Sequence, residues 1–279
     1  MDGNRSCETV FYAMIALACA SLALFLLAAP MERVLTIVPD DASYYFEIAD
    51  NAASGEGFTF DRLGETNGYQ PLWLYLLVPF YRIVPAGPGT MVRVITIFQV
   101  LLSGAAGLFL HGLLRRASSA CAALAGGSLF AAFVIAPAVN GMESALLVLL
   151  LVVLAGRAVR SGFPDRCGAG EAFRLGLLLG LAVLARLDTA FLCVSTGLLL
   201  LAGAAAGGAG RRRIALLAAT ALGASLIILP YLSYNAIRFG SPMPISGLLK
   251  SSFPVPAFDP AMLLEPGPIG LLSLLLGAI

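Results

Sequence analysis

The chain is dominated by apolar runs as long as a bilayer is thick, and this limits its fold more than any other feature. Runs of this kind lie at about 10 to 30, 92 to 114, 119 to 139, 144 to 160 and 214 to 233, each against roughly 20 residues for a helical span. Residues 172 to 209 read as two further helices meeting around Arg186-Leu187-Asp188. With 59% hydrophobic and 12% charged residues, and a mean hydropathy of +0.91, the chain has more apolar side chain than a water-soluble fold can bury. The expected fold is an all-α polytopic membrane bundle, a single transmembrane domain over residues 1–279. The first run, Val10 to Ala29, is about one span long, so it reads as an uncleaved helix rather than a signal peptide.

Composition also excludes some functions. The net charge of +1, without a basic stripe, gives no footprint for nucleic acid. The five cysteines lack paired spacing and read as packing thiols. The one histidine, His111, lies in an apolar helix without a second ligand near it in sequence.

Arginine placement sets the orientation, because loops on the cytoplasmic side carry the excess positive charge. Three clusters should share that side: Arg115-Arg116, then Arg157, Arg160, Arg166 and Arg174, then Arg211-Arg212-Arg213. Pro71 to Val84 is apolar but too short to span comfortably. Treating it as a helix that dips in and returns puts all three clusters on one side, with the amino terminus. The loops 31 to 91, 140 to 143, 186 to 189 and 234 to 266 then face the other side. The chain stops at Ile279 within an apolar run that begins near Pro268. About a dozen residues cross only half a bilayer, so a truncated chain is expected.

The outward loops hold most of the polar punctuation. In the first loop, 31 to 91, Asp40 or Asp41 suits a helix N-cap. Tyr45, Ile48, Ala49 and Ala52 form one apolar face, and Gly55 and Gly57 end the helix. The result is an amphipathic surface helix between the first two spans. Taken alone, the acidic pair would be only a cap. It is accompanied by Thr66-Asn67-Gly68-Tyr69-Gln70-Pro71 at the membrane boundary, Glu143 within Asn140-Gly141-Met142-Glu143-Ser144, Arg186 and Asp188 in an apolar stretch, and Lys250 after the last full span. Each has a bland reading as a turn, a cap, an ion pair or an interfacial anchor. Together they place carboxylates and cations around one outer cavity, since ionisable groups at membrane depth pair with each other or with substrate. That set suits glycosyl transfer from a lipid phosphate. A carboxylate takes the acceptor proton, and cations or a metal hold the departing phosphate.

The stretches DDASYYFEIADNAASGEGFTFD, TNGYQPLW, NGMESAL, GLLLGLAVLARLD and PYLSYNAIRFGSPMPISGLLK resemble bacterial members of the glycosyltransferase C superfamily, over about residues 33 to 251. That superfamily includes protein O-mannosyltransferases, the lipid A aminoarabinose transferase and the catalytic subunits of oligosaccharyltransferase. The resemblance implies an inverting transferase that uses a polyprenyl-phosphate sugar and a lipid, glycan or protein acceptor, in a bacterial plasma membrane with its site facing outward. It implies Asp40 as general base and Asp41 as a supporting ligand. Glu143 matches a second acidic motif at which some members bind a divalent metal such as Mg or Mn. Tyr69, Gln70, Glu143, Arg186, Asp188 and Lys250 are the expected substrate-binding residues, and members often carry His where this chain has Gln70. Two other readings stay open: a transporter or flippase of lipid-linked sugars, which would favour inverted repeats, and an inactive fragment.

Overall fold

The computed structural model describes residues 2–205 and 210–245; Lys250 and the terminal apolar run lie outside the described residues. Among the described residues the fold is all-α. Its helices are α1 (Asp2–Ala28), α2 (Met31–Leu35), α3 (Asp40–Ser54), α4 (Pro71–Ile83), α5 (Pro88–Ala117), α6 (Ala120–Phe130), α7 (Ala136–Ala138), α8 (Ser144–Ser161), α9 (Ala169–Ala185), α10 (Ala190–Ala205) and α11 (Gly210–Phe239). A π turn at Ala131–Ile135 joins α6 to α7, and a 3-10 turn at Leu187–Thr189 leads into α10. Among the described residues six helices are long and apolar enough to cross a membrane: Ser6–Ala28, Pro88–Arg116, Ala120–Ala138, Ser144–Ser161, Leu187–Ala205 and Gly210–Phe239. They expose large apolar side chains such as Leu17, Phe133, Phe191, Leu198 and Leu222. Such a surface is costly in water and favourable in hydrocarbon.

Two devices hold the helices together. α9 and α11 meet backbone to backbone. A Cβ at Gly176 would strike the Thr220 carbonyl, and one at Gly223 would strike the Phe173 carbonyl. Small residues four apart on α9, Gly176 and Gly180, permit this approach, as at close helix crossings in membranes. Near the start of α1, Phe11 packs onto Gly127 of α6 and stacks on His111 of α5 at 4.0 Å between ring centroids. His111 is thus buried, with its ring packed against Phe11.

The bundle has two ends of different character. At one end Arg115 pairs with Glu8 at 3.1 Å, Arg157 and Arg174 share Glu171, Arg213 pairs with Asp165, and Arg212 donates to the Cys167 carbonyl at 2.9 Å. The three arginine clusters read from the sequence therefore gather together. At the other end lie the long loop after α1, the turn before α8, the turn between α9 and α10, and the end of α11. α4 starts and finishes at this second end. Gln70, which precedes it, bonds to Leu187, and Arg93, one turn into α5, donates to the carbonyls of Leu26 and Ala29 at the close of α1. The short apolar helix does not traverse the bundle.

Candidate functional site

α3 carries the acidic pair and buries Tyr45, Ile48, Ala49 and Ala52, the face expected from its periodicity, and with them Ala42, Phe46 and Asn51. Gly55 closes it in the left-handed region at φ 91. The N-cap is Pro39, not an aspartate, so the capping expectation is corrected. Pro39 is extended (ψ 159) and has no side-chain acceptor. Asp40 and Asp41 are the first two helical residues, both exposed, and neither carboxylate is used as a cap. Negative charge in a first helical turn is favourable.

The loop before α8 packs directly on α3. Gly141 has φ 81, and a Cβ there would lie 2.8 Å from Ala42 Cβ and 2.9 Å from Phe46 Cζ. Its backbone is clamped from two sides. The Gly141 N–H donates to Gln99 Oε1 at 2.8 Å, and the Gly141 carbonyl accepts from Trp73 Nε1 at 3.0 Å. The Gln99 amide also donates to the Met142 carbonyl. Within the loop, Asn140 accepts from Met142 N–H and donates to Ser144 Oγ. Every one of these bonds fixes the position of Glu143.

Glu143 is buried, its side chain 3% exposed, and Arg186 Nη1 lies 3.8 Å from its Oε1. Burial raises the Glu143 carboxyl above its ordinary range, while the Arg186 guanidinium and the Tyr45 phenol pull it back. Its Oε2 is a buried oxygen with no hydrogen-bond partner, a costly arrangement for a carboxylate. Arg186 is half exposed and is also held by Asp188, Nε to Oδ2 at 3.1 Å. The Tyr45 hydroxyl accepts from the Gln70 N–H at 3.1 Å, and it lies near enough to the Glu143 carboxyl for each to feel the other. Gln70 Oε1 in turn accepts from the Leu187 N–H at 3.2 Å. Four stretches far apart in sequence thus form one cluster: Tyr45, Gln70, Glu143, and Arg186 with Asp188.

Not every expected site residue joins it. Asp41 is close enough to Tyr45 for its charge to be felt there, and Asp40 makes no contact with the cluster among the described residues. Tyr69 points elsewhere, into a group of aromatic rings with Phe58 at 5.8 Å and Tyr75 at 6.5 Å, next to Tyr231 and Tyr234 of α11. Glu65 and Asn67 tie the same loop to the end of α11. Glu65 meets Arg238 at 2.6 Å, and Asn67 Oδ1 accepts from the Ile245 N–H at 3.0 Å. The Glu65 carboxyl is held low by that arginine.

Three contributors were not singled out by sequence reading. Tyr45 was counted only as part of an apolar face, whereas Gln99 and Trp73 lie in apolar helices and went unweighed. Gln99 did leave a signal, since an uncharged polar side chain inside a span needs a partner. Among the described residues no three His, Cys, Asp or Glu side chains gather to hold a metal. Asp41 and Glu143 would supply two carboxylates at most, and a cation at Glu143 would adjoin the Arg186 guanidinium. This donor set fits a divalent ion poorly. A cavity of about 260 Å³ between α9, α10 and α11 is apolar, and neither Glu143 nor Arg186 lines it. Comparison of the chain with protein-family models, with curated proteins and with solved structures found no match in any of the three.

Proposed function

We propose that this chain is a multi-pass membrane glycosyltransferase that moves a sugar from a polyprenyl-phosphate donor to an acceptor hydroxyl on a lipid, glycan or protein. The observation that carries the reading is the convergence of four separate polar stretches on one end of an otherwise apolar bundle, around a buried Glu143 joined to Arg186. An ionisable pair in such surroundings is costly unless it serves a structure or a substrate. In the proposed reaction Asp40 takes the proton from the acceptor hydroxyl. The hydroxyl oxygen attacks the anomeric carbon from the face opposite the phosphate. The anomeric carbon–oxygen bond breaks with its electron pair passing to the polyprenyl phosphate, and the configuration inverts. Arg186, fixed by Glu143 and Asp188, offers its remaining N–H groups to the departing phosphate. No step passes through a metal. By the arginine distribution, this end of the bundle faces the periplasm or cell exterior of a bacterial plasma membrane.

The test is a transfer assay on membranes containing the protein, with a panel of radiolabelled polyprenyl-phosphate sugars. One donor is expected to yield product. Asp40→Asn should insert normally, still bind donor, and lose about a hundredfold to ten-thousandfold in rate, while Asp41→Asn loses less. Near-wild-type turnover by Asp40→Asn would move the base to Asp41 or Glu143. Movement of a lipid-linked sugar across the bilayer without transfer would replace the enzyme reading by a flippase.

A further inference from the structure

At the arginine-rich end four arginines have acidic partners: Arg115 with Glu8, Arg157 and Arg174 with Glu171, and Arg213 with Asp165. Arg166 and Arg211 have none among the described residues, and the same holds for Arg116 and Arg160, which share a groove. Both are exposed, neither has an acidic partner among the described residues, and Arg160 donates only its Nε, to the Gly156 carbonyl of its own helix at 3.1 Å. The two side chains line one groove of about 140 Å³ between α5 and α8.

The shape of this groove is written in its spacing. On α5 it is lined by Leu108, Gly112 and Arg116, with Phe109 and Leu113 beside them, and on α8 by Val152, Gly156 and Arg160. Each helix therefore presents a stripe at i, i+4 and i+8, which is about 12 Å long at 1.5 Å per residue. Each stripe has an apolar residue at the inner end, a glycine in the middle and an arginine at the outer end. A Cβ at Gly112 would meet nothing within 4 Å, so the glycine leaves open space.

We propose that this groove binds an anionic phospholipid, with the phosphate and anionic headgroup between Arg116 and Arg160 and an acyl chain against Leu108, Phe109, Leu113 and Val152. Charge complementarity selects the headgroup, because two arginines without acidic partners among the described residues line the same groove. The apolar stripe running inward selects a lipid over a free phosphate. The inference rests on these helices lying in a bilayer and is independent of glycosyl transfer.

The experiment is native mass spectrometry of the full chain purified in neutral detergent and titrated with phosphatidylglycerol, phosphatidylcholine or sn-glycerol 3-phosphate. The wild type should retain phosphatidylglycerol over phosphatidylcholine by about thirtyfold, the combined effect of two cations at an anionic headgroup. The Arg116→Gln/Arg160→Gln double variant should lose that preference, and Arg174→Gln should keep it. Gly112→Leu fills the open space without touching either charge and should reduce retention of both lipids. Equal retention of the two lipids by the wild type, an unchanged preference in the double variant, or undiminished binding by Gly112→Leu would overturn the proposal. Displacement of phosphatidylglycerol by an equal concentration of glycerol phosphate would also overturn it, since the acyl contact would then contribute nothing.

Discussion

Glu143–Arg186 and Glu171–Arg174 join the same two chemical groups in opposite surroundings. The first sits among loops, with a carboxylate 3% exposed and an arginine 45% exposed, and its members come from turns 43 residues apart in sequence. The second lies within one turn of a helix, its arginine 64% exposed and its carboxylate 21% exposed. Water solvates an exposed pair in any arrangement, so its geometry constrains little. A buried carboxylate lacks that solvation and depends on the donors the fold supplies. Glu143 therefore needs its hydrogen bonds to be made, while the exposed Arg174 pair tolerates its loss.

Substitutions can break this contrast, and the largest effect on stability is expected at Gly141. Gly141→Ala puts a Cβ into Ala42 and Phe46 at a positive φ, and should cost roughly 2 to 4 kcal/mol from overpacking and backbone strain. Thermal unfolding in detergent would read this as a lowered midpoint. An unchanged midpoint would mean that the loop is not seated on α3. Gln99→Met keeps the volume of the buried side chain but removes both of its bonds to the loop, leaving the Gly141 N–H unpaired. A loss of about 1 to 3 kcal/mol is expected, with Gln99→Glu unable to restore the donor to Met142.

A smaller effect concerns pH. Because burial raises the Glu143 carboxyl above its ordinary value of 4.5, the folded protein holds that proton more tightly than the unfolded chain does. Its contribution is present in full below the ordinary carboxyl range and is lost as pH rises through the folded value. The midpoint of Glu143→Gln should gain on that of the wild type as pH rises from about 5 to 7. Parallel curves would mean that Glu143 is not protonated preferentially on folding. At the bottom of the scale, Arg174→Ala should leave the unfolding midpoint within error of wild type at any salt concentration, because its pair is exposed. A clear drop would show that the two ends of the bundle are alike after all.

Much of the candidate site was legible as separate pieces. Ionisable and amide residues within apolar stretches stand out because hydrocarbon makes them costly, and this drew attention to Gln70, Glu143, Arg186 and Asp188 before any fold was known. Their grouping was not legible. Tyr69 and Gln70 are neighbours in sequence, yet one joins the aromatic group beside α11 and the other bridges to Leu187, 117 residues away. No local pattern distinguishes those two directions.

The sequence by itself determined where the long apolar helices lie, much of the buried face of α3, the shortness of α4 and the gathering of arginines at one end. These follow from hydrophobic periodicity and from charge near span ends, both properties of a few consecutive turns. Only the tertiary structure decided that Pro39 rather than an aspartate holds the N-cap position of α3, that the Tyr45 hydroxyl meets the Gln70 N–H, and that Gln99 and Trp73 hold the Gly141 backbone. Those outcomes depend on which helix faces meet and at what height. They are set by close approaches such as Gly176 to Thr220 and Gly141 to Ala42, where a missing side chain lets one backbone reach another.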